Sequence, residues 1–242
     1  MTKSSSRAEW RVTAGLLALS AVPVFAGAFR VAELTSGAEV TPANARFFAV
    51  PLPVVVHIIG ASLFCVLGAL QFHGGLRRRR PRWHRIAGRI LVPCGLAAAV
   101  SGLWMTLYYP LPALDGARFG IVGLSRLGFG TAMAVAIVLS FVAVRRRDFA
   151  RHRAWMIRGY AIGQGAGTQA LTHLPWVLLV GQPGVFAHAM LMVAGWVINV
   201  AFAEWIIRRR PRRRPRAVPV PRPDRVTSEN YPLSSLPAGP GR

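Results

Sequence analysis

The chain has 242 residues, of which 53% are hydrophobic and only 16% are charged, and its formal net charge is +22. Soluble domains carry about 25% charged residues, so this composition excludes an ordinary water-soluble enzyme domain and indicates an integral membrane protein. Lys3 is the single lysine among the 30 cationic residues. Because such an arginine bias is typical of GC-rich genomes, we predict a bacterial plasma membrane protein.

Six apolar stretches are long enough to cross a membrane. A bilayer core about 30 Å thick requires about 20 residues of α-helix. The six stretches cover about residues 12–30, 51–72, 87–109, 121–144, 158–180 and 185–207. We therefore predict an all-α bundle of six transmembrane helices at 12–207, preceded by a cytoplasmic segment at 1–11. The Arg- and Pro-rich tail at 208–242 has too few apolar residues to form a core, and we expect it to be disordered and cytoplasmic.

The distribution of positive charge predicts the orientation of the bundle. Lys and Arg concentrate in cytoplasmic segments, and an orientation with both termini inside gives 26 of them to the cytoplasm and 4 to the outer side. One alternative concerns the first span, which follows three basic residues and ends in Ala26-Gly27-Ala28, as a signal peptide would. Cleavage after Ala28 would leave five helices with the same orientation.

Two cytoplasmic loops share a pattern of arginine and histidine. An Arg run at 77–80 precedes His84-Arg85, and a second run at 145–147 precedes His152-Arg153. Guanidinium groups bind phosphates and carboxylates through paired hydrogen bonds, and a neighbouring imidazole can donate to the same anion. We therefore predict a site for anions or anionic lipid headgroups. Its predicted members are His84, Arg85, Arg89, His152, Arg153 and Arg158. The alternative is that these arginines only set the orientation of the helices.

The remaining intramembrane histidines lie at similar depths. At 1.5 Å rise per residue, His57, His173 and His188 all fall roughly 5–10 Å inside the outer boundary. Ionisable residues inside a bilayer are candidates for function, and imidazole is a common ligand of haem iron and other metals. The three histidines are therefore candidate ligands of a b-type haem or another metal, with Gln169 expected to orient His173. The alternative is that they form hydrogen bonds between helices.

Glycine spacing predicts where helices approach one another closely. Gly159, Gly163 and Gly167 recur every four residues in the fifth span and form one small-residue face, which predicts tight packing against a helix of this chain or of a partner. Nucleic acid is not an expected partner, because the positive charge is sorted to one side of a membrane. The lipid bilayer and its anionic headgroups explain that charge better.

Several motifs formed by these residues are similar to those of a known protein family. The elements are His57 through Gly68, Gln71-Phe72, His84-Arg85 followed by Gly88-Arg89, and the string from His152 to Arg158. Over about residues 55–165 the chain resembles the bacterial membrane proteins called domain of unknown function 2306. The resemblance implies a multi-helix integral membrane protein and draws attention to His57, His84 and His152. It implies no activity, substrate or cofactor.

Two functional hypotheses follow from these residues. The first is a redox- or metal-associated membrane protein with a histidine-lined site in the outer leaflet and an anion site at the cytoplasmic face. The second is a non-catalytic carrier or helper subunit for a small anion, a lipid or a protein partner. The sequence does not decide whether the protein is an enzyme, since it contains no zinc-protease, nucleophile-elbow, phosphate-binding or dinucleotide-binding motif.

Overall fold

Residues 3–209 are described by the computed structural model, and within this range they form nine α-helices and no strand. The helices are α1 (Lys3–Thr35), α2 (Ala45–Ala49), α3 (Pro51–Gln71), α4 (Gly74–Arg79), α5 (Pro81–Tyr108), α6 (Ile121–Arg145), α7 (Phe149–Gly163), α8 (Gly165–Leu179) and α9 (Val185–Arg209). A 3-10 turn (Ala113–Asp115) lies between α5 and α6. The predicted all-α membrane bundle is thereby confirmed. From residue 210 onward, the tail that we expected to be disordered lies outside the described residues.

Five of the helices are long and apolar enough to cross a membrane, namely α1, α3, α5, α6 and α9. They correspond to five of the six predicted spans. The first of them continues as one helix past Ala28, where the sequence resembles a cleavage site. A sixth crossing and the orientation of the bundle stay predictions.

The predicted fifth span is divided between α7 and α8, which meet at Gln164. Each has 15 residues, or about 22 Å of helix, which is shorter than a bilayer core about 30 Å thick. The Gln164 N–H still donates to the Tyr160 carbonyl at 3.0 Å, so the chain bends at this point without losing that helical hydrogen bond. The side-chain Nε2 of Gln164 donates to Ser20 Oγ on α1 and to Tyr160 Oη.

The core lies where α3, α5, α6 and α7 pack together, and its buried members are Phe64, Ala69, Leu91, Ala99, Met133, Ile137, Tyr160 and Ile162. Glycines permit this close approach. A Cβ at Gly163 would lie 2.9 Å from the Phe64 ring on α3, and one at Gly167 would meet the Leu19 carbonyl oxygen on α1. Gly159 faces Ile137 on α6. The three glycines of the predicted packing face therefore contact three different helices of this chain.

The loops at one end of the bundle hold each other in place. We call this the outer end after its predicted orientation; it comprises residues 36–50, 109–120 and 180–184. Tyr109 Oη donates to the Val50 carbonyl. Arg118 donates to the carbonyl oxygens of Thr106 at 2.6 Å and Tyr109 at 3.0 Å. These contacts fix the 3-10 turn, and with it Asp115, over the end of the bundle.

Candidate functional site

A cavity of about 490 Å³ extends from the outer loops into the middle of the bundle. We call it the outer cavity. Its walls come from α1, α2, α3 and α5 to α9, and its lining includes the core residues Phe64 and Met133. Most of its lining is apolar, with His57, Arg46, Asp115 and Arg126 among the polar exceptions. Small-molecule sites in proteins have this size and this mixture of an apolar wall with a few polar groups.

His57 lies in the wall of the outer cavity, one and a half turns into α3. Its Nδ1 lies 2.8 Å from the Ala98 carbonyl oxygen on α5. A carbonyl oxygen can only accept, so Nδ1 carries the proton and donates, and in the neutral ring Nε2 carries the lone pair. Metal-bound and ligand-bound histidines are commonly oriented by a hydrogen bond of this kind. The described contacts of the ring thus leave Nε2 as its basic atom.

An ion pair between Asp115 and Arg126 closes the outer end of the cavity. Arg126 NH1 lies 2.7 Å from Asp115 Oδ2, and NH2 lies 3.3 Å from Oδ1. The carboxylate side chain is only 5% exposed, whereas the guanidinium is 28% exposed. Arg126 is one turn and a half into α6, so the turn before that helix delivers the carboxylate to the arginine. The buried carboxylate is thus paired with a partly exposed guanidinium at the mouth of the cavity.

Arg46 adds a second positive charge at the mouth. Its guanidinium stacks 4.6 Å from the centroid of the Phe47 ring and donates to the Pro110 carbonyl oxygen at 3.3 Å. Burial lowers the pKa of Arg46 from its usual value, and the Asp115 carboxylate opposes that shift by favouring the charged form. Because arginine is protonated in proteins, the mouth keeps an excess of positive charge.

His173 and His188 lie side by side behind Asp115. The Nε2 atom of His173 is 3.1 Å from Nδ1 of His188, and Nε2 of His188 is 3.1 Å from Asp115 Oδ1. The Nδ1 atom of His173 donates to the carbonyl oxygen of Gln169 at 2.8 Å. All four ring nitrogens of the two histidines thus take part in hydrogen bonds. Depth along the helices correctly indicated that His173 and His188 lie at one level.

The three histidines predicted as metal ligands are not gathered around one point. His57 bonds to α5, while His173 and His188 bond to each other. Within residues 3–209, no group of three or more His, Cys, Asp or Glu side chains is arranged to hold a metal ion. Gln169 does contact His173, as expected, but through its backbone carbonyl, which accepts from Nδ1 at 2.8 Å, while its side-chain Nε2 donates to the Met192 carbonyl. The backbone of Gln169 makes the contact, because its carbonyl lies one helical turn before His173.

The two His-Arg pairs occupy equivalent positions at the opposite end of the bundle. His84 is the fourth residue of α5, and His152 is the fourth residue of α7. The charges of Arg77 and His152 both act on His84. Nδ1 of His84 is buried and has no hydrogen-bond partner among the described residues. His152 donates from Nδ1 to the Ser140 carbonyl oxygen at 3.0 Å. The two motifs thus lie at the same end of the bundle, although 68 residues separate them in the chain.

The arginines predicted to accompany these histidines differ in their surroundings. Arg85 and Arg89 are exposed, and Arg153 is half-buried. Arg158 forms a two-point ion pair with Glu204 on α9, with Nε 2.5 Å and NH2 3.1 Å from the two carboxylate oxygens. Its guanidinium also lies 4.7 Å from the centroid of the Trp155 ring. The ion pair of Arg158 with Glu204 thus links α7 to α9.

Sequence reasoning missed Asp115, Arg126 and Arg46, the charged residues at the mouth of the cavity. One signal was available. Arg126 lies inside a predicted span near its outer end, where the orientation rule disfavours a positive charge, and such a residue needs a compensating acid. Asp115 is the nearest acid in the sequence.

Comparison with known proteins agrees with this architecture. The family described as "Predicted membrane protein (DUF2306)" matches residues 54–207. The chain belongs to this family. The match covers α3 to α9 almost entirely, and its range continues past residue 165. No curated protein and no solved structure matched the chain.

Proposed function

We propose that the chain, a multi-pass protein of the bacterial plasma membrane, binds a small amphipathic molecule in the outer cavity. The observation that carries the proposal is the cavity itself, whose apolar walls surround a single histidine and whose mouth holds Arg46 and Arg126. An apolar body would lie against the walls, and an anionic or polar end would face the two arginines. The polar atom nearest the body would be Nε2 of His57.

Two kinds of ligand fit this description and separate the functional hypotheses. A b-type haem would be held by His57 at its iron and by Arg46 and Arg126 at its carboxylates, and it would supply redox chemistry. A lipid or an organic acid would use the same arginines without a metal, which gives a carrier. The orientation of the His57 ring by the Ala98 carbonyl supports both, since it leaves Nε2 free of its proton.

The test is to purify the protein in mild detergent, record oxidised and dithionite-reduced absorption spectra, and identify small molecules in an organic extract by mass spectrometry. The same preparation is made of Ala166→Leu, which fills the cavity from α8, and of Ala132→Leu as the control. Both alanines are exposed, but only Ala166 lines the cavity. We expect a retained molecule in the wild type and the control and its loss in Ala166→Leu.

The spectra assign the class of ligand. A Soret band and a reduced α-band that disappear in His57→Ala identify the redox protein, whereas a colourless sample with a retained acid or lipid identifies the carrier. A sample in which wild type and Ala166→Leu retain the same molecules in the same amounts would refute binding in this cavity.

The pairing of the two His-Arg motifs favours a second site, for an anion or an anionic headgroup at the cytoplasmic end. The supporting observation is that His84 and His152 occupy equivalent positions in α5 and α7 at the same end of the bundle, with the His84 Nδ1 atom lacking a partner among the described residues. We expect Arg85→Ala and Arg153→Ala to reduce the number of phosphatidylglycerol molecules retained in native mass spectrometry. Arg151→Ala, an exposed neighbour outside the predicted set, is the control. Equal retention in all three variants would contradict the site.

A further inference from the structure

The hydrogen bonds behind Asp115 form a continuous chain across three elements. It begins at the Gln169 carbonyl on α8, passes through both rings of His173 and His188, and ends at the Asp115 carboxylate. The side chain of His188 is only 13% exposed, and that of Asp115 is 5% exposed. Water is thus largely excluded from the contact between His188 and Asp115. Each polar atom there depends on its protein partner for a hydrogen bond.

The series of hydrogen bonds from Gln169 to Asp115 has more acceptors than donors when both rings are neutral. The Gln169 carbonyl and an ionised Asp115 carboxylate can only accept, so the nitrogens that face them, His173 Nδ1 and His188 Nε2, must both carry protons. The nitrogens that face each other across 3.1 Å must share one more proton, because one of them has to donate. Two imidazoles that make all three bonds therefore hold three protons, whereas two neutral imidazoles hold only two.

The contacts of the Asp115 carboxylate engage both of its oxygens as acceptors. Arg126 on α6 contacts both oxygens of Asp115. Guanidinium nitrogens can only donate, so neither carboxylate oxygen is left to carry a proton toward Arg126. The surplus proton therefore belongs to the imidazole pair, and the cluster of Arg46, Arg126, one carboxylate and one imidazolium carries a net charge of +2.

We infer that His173, His188 and Asp115 form a proton-binding site beside the outer cavity, which holds one proton beyond those of two neutral rings and an ionised carboxylate. Asp115 lines the cavity and links this proton to the space inside it. Loss of the proton would leave at least one of the three contacts without a hydrogen, so that lone pairs would face each other there. The inference concerns the proton alone and holds whether or not the proposed ligand is found.

Nitrogen-15 NMR of histidine-labelled protein tests the inference directly, because the ring-nitrogen shifts distinguish a doubly protonated imidazole from the two neutral tautomers. The full chain is placed in lipid nanodiscs at neutral pH, and the signals are assigned with His173→Gln and His188→Gln. We expect one doubly protonated ring within the pair. His57 is expected to show the neutral form with the proton on Nδ1.

A charge-removing variant with a matched control identifies what holds the proton. Asp115→Asn should leave both rings of the pair neutral, because Arg126 then opposes a nearby positive charge. Asp148→Asn removes the acid that caps α7 in the cytoplasmic half and should leave the pair unchanged. Two neutral rings in the wild type, or an imidazolium that persists in Asp115→Asn, would overturn the inference. If Asp115→Asn fails to fold, the wild-type spectrum alone still decides whether one ring of the pair is doubly protonated.

Discussion

The ion pair between Asp115 and Arg126 offers a quantitative test of how much the mouth of the cavity contributes to stability. The perturbation is a double-mutant cycle with Asp115→Asn and Arg126→Met, which isolates the interaction from the effects of each single change. Asparagine retains the shape of the acid and an oxygen that accepts from His188. Methionine retains much of the apolar stem of Arg126 without its charge.

The expected coupling follows from burial. A hydrogen bond to a charged group contributes about 1.5–3 kcal/mol, and breaking a buried pair costs about 3–5 kcal/mol. Because Arg126 is 28% exposed, we take the lower range and expect a coupling free energy of about 1.5–3 kcal/mol between the two side chains. The pair of Arg158 and Glu204 has the same two-point geometry with exposures of 29% and 27%, so a partly solvated coupling of about 0.5–1 kcal/mol is expected there.

The free energy of unfolding is measured for each protein of the two cycles by steric trapping in bicelles. For the control cycle the changes are Glu204→Gln and Arg158→Met. The reasoning requires the coupling at Asp115 and Arg126 to exceed that at Arg158 and Glu204. Equal couplings, or a value below about 0.5 kcal/mol at the mouth, would refute the argument that burial of the Asp115 carboxylate strengthens this pair.

Three further predictions concern packing, hydrogen bonding and topology. Tyr160→Phe removes the hydroxyl that donates to the Cys65 carbonyl at 2.8 Å and should lower the free energy of unfolding by about 1–3 kcal/mol, whereas Tyr108→Phe, at 65% exposure, should change it by less than about 0.5 kcal/mol. Gly167→Ala should reduce the melting temperature because its methyl group meets a carbonyl oxygen of α1, and Gly128→Ala, which meets nothing within 4 Å, should leave it unchanged or raise it. Cysteines introduced at 77–85 should react with a membrane-impermeant thiol reagent only after the cells are opened; labelling of intact cells would refute the predicted orientation.

Hydropathy located the spanning helices because their burial in lipid depends on composition, and composition is visible in the sequence. The predicted 121–144 and 185–207 stretches correspond closely to α6 and α9. The break at Gln164 was not predicted, because an average over a window does not register one polar residue. Its neighbour Gly163 was interpreted as a packing residue alone, although a polar side chain between two glycines also indicates a change in the helix.

The candidate site was only partly visible in the sequence, since depth along a helix gives height but not lateral position. It placed His173 and His188 at one level, and the structure shows them in contact. It did not separate His57 from them, because that requires knowing which helices are neighbours. Asp115 was missed for a different reason: it lies in a loop, and a loop residue has no defined depth until the contacts of the loop are known.

The four cationic residues on the predicted outer side argue that this end of the molecule is built for more than orientation. The topology rule disfavours each of them, so each needs another explanation. Arg30 pairs with Glu33, and Arg46 and Arg118 donate to backbone carbonyls of the segment around the 3-10 turn. Arg126 pairs with Asp115. Arg46, Arg118 and Arg126 thus converge on the loops around the outer cavity. A purely topological account predicts no such convergence, whereas the proposed binding of a ligand in the outer cavity would make use of it.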